Sequence, residues 1–214
     1  MKLVDMTVSD FSDEVDSNSP APGGGSVAAL SSNIGIGLAR MMAHLSFGKK
    51  KYEALDEKVR TEFVEKFNKL GDIRQELIEL IDKDTESFNE VMKAMKMPKN
   101  TDDEIKARKI AIQDATLFSI DVPFKTAKLS FKALQLLEYL TEYGNQNAIT
   151  DIGVGTLMLY SGLEGAILNV KVNLMSLENK ELYKVYSKEC EELLLDGSEI
   201  KDNLMKSIHN KLNN

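Results

Sequence analysis

The 214-residue chain has no tryptophan, one cysteine, two histidines and four prolines. Each scarcity excludes something. Cys190 alone cannot form an internal disulfide, which fits a reducing compartment, and its helical spacing from Tyr186 and Leu193 is that of a core thiol. His44 and His209 are far apart, with no other ligand cluster at metal spacing, so no metal site is expected. His44 is expected in the core near Arg40, or else lining the site. Strand signals are nearly absent, which argues against a sheet. Basic residues are in deficit, 27 Lys and Arg against 34 Asp and Glu, and the net charge of −7 argues against nucleic acid as a partner. The opening Met1-Lys2-Leu3-Val4-Asp5 lacks the basic-then-apolar pattern of a leader, so the cytoplasm is the expected location.

What the chain has in abundance is helical periodicity. A short helix is predicted from Thr7 to Val15, and another from Ser26 to Ser46 after a glycine loop. From Tyr52 to Lys96 apolar residues recur at steps of three and four, including Leu70, Ile73, Leu77, Ile81 and Phe88. Glu62/Lys66, Glu65/Lys69 and Glu79/Lys83 add ion pairs four apart, and Gly71 is a possible bend. Pro98 ends that segment. Further helices are predicted from Thr101 to Tyr143, Ala148 to Leu177 and Glu181 to Leu212. The expected fold is an all-α, elongated antiparallel bundle with long helices, one kinked at Pro123, forming a single domain over 1–214.

Two of these helices are almost uncharged. Ser26 to Leu45 carries only Arg40, and Ala148 to Leu177 only Asp151, Glu164 and Lys171. Such helices are enclosed by protein or membrane. The internal charges and the lack of basic flanks argue against a membrane span, so a homodimer burying one face is expected.

Four groups carry candidate chemistry. Pro20-Ala21-Pro22-Gly23-Gly24-Gly25-Ser26 feeds a helix N-terminus, with Ser26 as its expected cap, and offers backbone N–H groups to an anionic or electron-rich ligand. The same run also reads as a rigid linker. Asp84 interrupts the apolar stripe of the long helix between Ile81 and Phe88, where burial would raise its pKa. Its alternative is a structural salt bridge. Asp151 opens a nearly apolar helix, with Gly153 and Gly155 expected to leave space beside it and Asn145 and Asn147 to supply amides. It also reads as a dipole-complementing residue. Lys49, Lys50 and Lys51 follow Gly48 and suit an acidic substrate, or merely a helix C-terminus.

In that order, Ser19-Pro20-Ala21-Pro22-Gly23-Gly24-Gly25-Ser26, Gly48-Lys49-Lys50-Lys51-Tyr52, Ile81-Asp82-Lys83-Asp84 and the run Asn147 to Gly155 resemble the cyclodeaminase/cyclohydrolase family. This is the C-terminal half of formiminotransferase-cyclodeaminase. The likeness extends through Val122-Pro123 and the run Asn169 to Leu174, almost the full length. The resemblance implies an all-helical dimer acting on one-carbon derivatives of tetrahydrofolate, with no cofactor beyond the folate. It implies closure of 5-formimino-tetrahydrofolate to 5,10-methenyl-tetrahydrofolate with release of ammonia, or interconversion of the methenyl compound and 10-formyl-tetrahydrofolate. Asp151 is then the first choice for general acid/base, with Asp84 in reserve or as a neighbour raising its pKa. Pro22 to Ser26 and Asn147 would hold the substrate, and Lys49 to Lys51 its glutamate carboxylates. A non-catalytic folate-binding dimer is the alternative of another class.

Overall fold

The computed structural model describes residues 2–213, so the expected 1–214 span runs one residue beyond the description at each end. Seven α-helices follow in order: α1 (Val8–Val15), α2 (Gly24–His44), α3 (Lys50–Glu53), α4 (Glu57–Met95), α5 (Asp102–Tyr143), α6 (Ile149–Leu174) and α7 (Lys180–Leu212). No strand occurs among the described residues. None of the described helices is long and apolar enough to cross a membrane.

Local chemistry sets the boundaries. The Thr7 hydroxyl accepts the Asp10 N–H and starts α1. Asp56 caps α4 by accepting the Lys58 N–H at 2.8 Å, which splits the predicted Tyr52–Lys96 segment into α3 and α4. A reciprocal capping box of Thr101 and Glu104 opens α5, which continues through the buried Pro123. Asn179 caps α7 through the N–H groups of Glu181 and Leu182. Ser26 does not cap α2. Gly23 does, with extended backbone and no side-chain bond, and Ser26 is buried in the first turn.

α2 and α6 lie at the centre, running antiparallel with their backbones in near contact. A Cβ on Gly35 would lie 2.7 Å from Gly155 O, and one on Gly155 2.8 Å from Gly35 O. α4 runs antiparallel to α2 on another side, as Asn33 Nδ2 donating to Arg74 O and Ser26 Oγ donating to Ile81 O record. The core joins Ile36 and Met42 of α2 to Leu70 and Leu77 of α4, Leu134 and Leu137 of α5, and Leu159 and Leu163 of α6. α7 closes it with Cys190, Leu204 and Ile208. Burial pushes the Cys190 thiol up to about 11, as suits a core residue rather than a nucleophile.

Glycine at 162 is sterically required. A Cβ there would overlap Ser32 Oγ and sit 2.7 Å from Ala28 O. Gly162→Ala is expected to cost about 1–3 kcal/mol through forced separation of α2 and α6, read as a lower denaturant midpoint.

Several expectations are corrected. α4 is continuous through Gly71, where the missing side chain makes room for Arg40 rather than a bend. His44 is exposed, its ring edge-on to Phe67 at 4.8 Å, because it ends α2 on the outer side. Lys66–Glu62 and Lys83–Glu79 pair at 3.0 Å, whereas Glu65 and Lys69 form no ion pair among the described residues.

Candidate functional site

The start of α2 turns one backbone amide, that of Ser26, toward the protein's own carboxylate. Asp84, half-buried on α4, accepts hydrogen bonds from the backbone N–H and the hydroxyl of Ser26, the latter at 3.3 Å. The one Ser26 hydroxyl proton is shared between Asp84 Oδ2 and the closer Ile81 O, at 2.8 Å, and Oγ lies 3.3 Å from Thr85 Oγ1. The carboxylate presses so closely on the loop that a Cβ at Gly25 would overlap it. A glycine at 25 is thus required by the Asp84 side chain pressed against it. Burial raises the Asp84 pKa above the ordinary carboxylate range, and the two Ser26 bonds oppose the rise only in part. A carboxyl so placed exchanges a proton more readily near neutral pH than an exposed one.

Asn169 of α6 completes this end. Its Nδ2 donates to Gly165 O at 2.9 Å, and a Cβ on Gly24 would come within 3.1 Å of that nitrogen. In the sequence Asn169 stands out only as the first residue of the run to Leu174 that carries part of the family resemblance. Pro22 is buried, its peptide bond with Ala21 is cis, and Gly24 is exposed at the helix start.

At the other end of α2, Lys49, Lys50, Lys51 and Asn147 line a cavity of about 780 Å³ with Tyr52, Tyr143, Asn145 and Lys211. Asn145 ties the walls together, its backbone N–H donating to Ser46 Oγ at 2.8 Å and its amide to Leu45 O at 2.9 Å. Its Oδ1 accepts the Asn147 N–H. The three lysines and Asn147 are exposed. A larger groove of about 850 Å³ along α4 and α5 is lined by acids and lysines interleaved, including the Glu62–Lys66 pair, and presents no uniform charge.

Asp151, half-buried in the first turn of α6, belongs to this second end and makes no hydrogen bond or ion pair among the described residues. Of the space expected beside it, only that at Gly155 is filled, while Gly153 has room for a Cβ in ordinary contact with Ile208. Gly153 faces Ile208, and Gly155 admits the backbone of α2. Asp84 sits beside Gly25, while Asp151 lies one turn before Gly155, which packs on Leu38 and Ala39. At 1.5 Å per residue the two carboxylates stand about 25 Å apart along α2. They do not approach within one chain, so Asp84 cannot be the neighbour that raises the Asp151 pKa there.

Between the two ends runs an exposed apolar face. On α2, Val27, Ile34 and Met41 recur every seven residues with Leu45 beyond them. On α6, Val154, Leu157, Leu168 and Val172 are exposed, as is Met175 just past its end, at 82%. Solvated helices of a monomer rarely carry such a stripe. Among the described residues, no group of three His, Cys, Asp or Glu is placed to hold a metal ion.

A strand-free bundle of long helices, with a half-buried carboxyl held by a glycine-led helix N-terminus, defines an all-α class with a carboxylate-centred site. The chain matches the formiminotransferase-cyclodeaminase family model over residues 7–192 and belongs to that family. It is 36% identical to a methenyltetrahydrofolate cyclohydrolase of Methylorubrum extorquens, covering 97% of this chain and 98% of that protein. It is 35% identical to the formimidoyltransferase-cyclodeaminase of Dictyostelium discoideum, covering 98% of this chain but 37% of that longer protein. Among solved structures it resembles a formiminotetrahydrofolate cyclodeaminase of Thermotoga maritima, with a TM-score of 0.77, 25% identity and coverage of 98% and 96% of the two chains.

Proposed function

We propose that this chain acts on the one-carbon bridge of tetrahydrofolate, closing 5-formimino-tetrahydrofolate to 5,10-methenyl-tetrahydrofolate with release of ammonia. The observation that carries this reading is the Asp84 carboxyl, raised in pKa by burial and aimed by Ser26 at the start of α2. N10 attacks the protonated formimino carbon and passes its own proton to the Asp151 carboxylate, giving a tetrahedral centre between N5 and N10 that carries the amine. Protonated Asp84 gives its proton to the exocyclic amine, the C–N bond to that amine breaks, and ammonia departs as the methenyl double bond forms. The order of the two carboxylates is thus reversed from the sequence expectation: Asp84 is the general acid/base and Asp151 the second proton carrier.

A second reading is the cyclohydrolase, favoured by the near full-length match to a methenyltetrahydrofolate cyclohydrolase. Water adds to the methenyl carbon and loses a proton to a carboxylate. The carbon–N5 bond then breaks as N5 is protonated, leaving a formyl group on N10. Methenyl absorbance separates the readings. A rise from 5-formimino-tetrahydrofolate with ammonia release establishes the first, and enzyme-dependent loss from the methenyl compound the second. No change beyond a no-enzyme control in either cuvette leaves a folate-binding dimer.

The working unit is a homodimer paired antiparallel along α2. About a two-fold axis near Ile34, residues 24–29 of one copy lie opposite residues 40–45 of the other. Each glycine loop with Asp84 then meets the Lys49–Lys51 and Asp151 end of its partner. The apolar face supports this pairing, because an isologous interface buries the same stripe on both copies. Pro22 to Gly25 and Asn147 bound the substrate, and the lysines attract its carboxylates. The chain works in the cytoplasm with no cofactor beyond the folate itself. Ile34→Glu, at a side chain 43% exposed in the single chain, is expected to halve the mass in solution while leaving helicity intact. An unchanged mass by light scattering places the interface elsewhere.

A further inference from the structure

Arg40 of α2 and Arg74 of α4 line a pocket of about 420 Å³ with Gly37, Met41, His44 and Leu45. Arg40 is held in place. Its Nη1 donates to Phe67 O, its guanidinium stacks 3.7 Å from the Phe67 ring centre, and Gly71 leaves the room it needs, since a Cβ there would lie 2.7 Å from Nη1. Neither arginine forms an ion pair among the described residues, although the chain carries 34 acids against 27 bases. Burial and the Arg74 charge hold the Arg40 pKa below its usual value, and Asp72 offsets this in part. Two guanidinium groups lining one pocket, with Asp72 near but no ion pair formed, repel each other, and a bound anion relieves that repulsion.

The chemistry of the pocket narrows the anion. Guanidinium forks match carboxylates bidentately, and a fixed fork loses less freedom on binding than a free one. Met41 and Leu45 give the pocket an apolar wall, so its ligand is a carboxylate joined to an apolar or aromatic body. The exposed lysines 49–51 are suited to attraction at long range, not to a fixed geometry. In the antiparallel pair, the 40–45 end of one copy faces the glycine loop of the other.

We propose that Arg40 and Arg74 form the docking site for the carboxylates at the glutamyl end of the folate, with Lys49–Lys51 contributing attraction rather than contact. This rests on the folate reading. The test is equilibrium binding of tetrahydrofolate and of tetrahydropteroate, which lacks the glutamate, to the wild type and to Arg74→Met. Arg74 is half-exposed, so the variant is expected to fold, and an unchanged melting temperature verifies it. The wild type is expected to prefer tetrahydrofolate, and R74M to weaken it about 10- to 100-fold with tetrahydropteroate unchanged. Unchanged tetrahydrofolate affinity, or equal loss for both ligands, overturns the docking site and leaves the folate reading standing. So does a Lys49→Gln, Lys50→Gln, Lys51→Gln variant that alone abolishes the preference. If the wild type binds neither compound, the folate reading fails and the docking site with it.

Discussion

Asp84→Asn is expected to lower kcat by about 10²- to 10⁴-fold, the range for removal of a positioned general acid/base. The amide is nearly isosteric and still accepts from Ser26, so folding and ligand affinity are expected to survive. Loss of rate with retained binding is the signature that a binding module would not give. The pH dependence carries a sign. The native Asp84 pKa is raised, so its proton-donating form persists below that raised value and is lost as pH climbs through it. The high-pH limb of ammonia release set by this group is therefore expected to vanish in D84N. Stability follows the same group. Between the ordinary aspartate value and the raised native one, the native state holds a proton that the unfolded chain has released, so stability declines as pH rises. D84N is expected to lack that decline in a series of melting curves. A wild-type-like rate in D84N removes this carboxyl from the chemistry.

Asp151→Asn is the second large effect, an expected loss of about 10²-fold or more in turnover with the fold intact. Asp151 is half-buried and makes no hydrogen bond or ion pair among the described residues. Its replacement therefore breaks no structural bond within the chain, and a purely dipole-complementing role predicts only a few tenths to about 1 kcal/mol of stability and no loss of rate. Kinetics and melting temperature together separate the two roles. Near-normal activity would make Asp151 a helix-end residue and nothing more.

The helices were legible because their apolar stripes are long and their caps are explicit. Thr101 with Glu104, Pro98 and the Gly144 turn are local signals that tertiary packing had no reason to override. Asp84 was legible for the same reason, as a carboxylate in phase with Ile81 and Phe88 where an apolar residue belongs. The cap of α2 was not. Ser and Gly both suit an N-cap, and only the burial of Ser26 against Ile81 and Asp84 decides for Gly23. Periodicity also cannot say what a glycine accommodates. Gly25 makes room for Asp84, Gly71 for Arg40 and Gly155 for the backbone of α2, all contacts between residues far apart in sequence. For the same reason, the separation of Asp84 from Asp151 is invisible until the antiparallel course of α2, α4 and α6 is known. Arg40 was noticed only as the lone charge of an apolar helix; its pairing with Arg74 depends on how α4 crosses it.

The most direct test of a site shared between two copies is to mix D84N and D151N protein, allow subunits to exchange, and measure methenyl-tetrahydrofolate turnover. Each variant alone is expected to be nearly inactive. In an equal mixture half of the dimers are mixed, and each carries one site with both native carboxylates, so about a quarter of wild-type activity is expected to return. A mixture no more active than its parents, after exchange is verified by mass, would contradict a site built from Asp84 of one copy and Asp151 of the other.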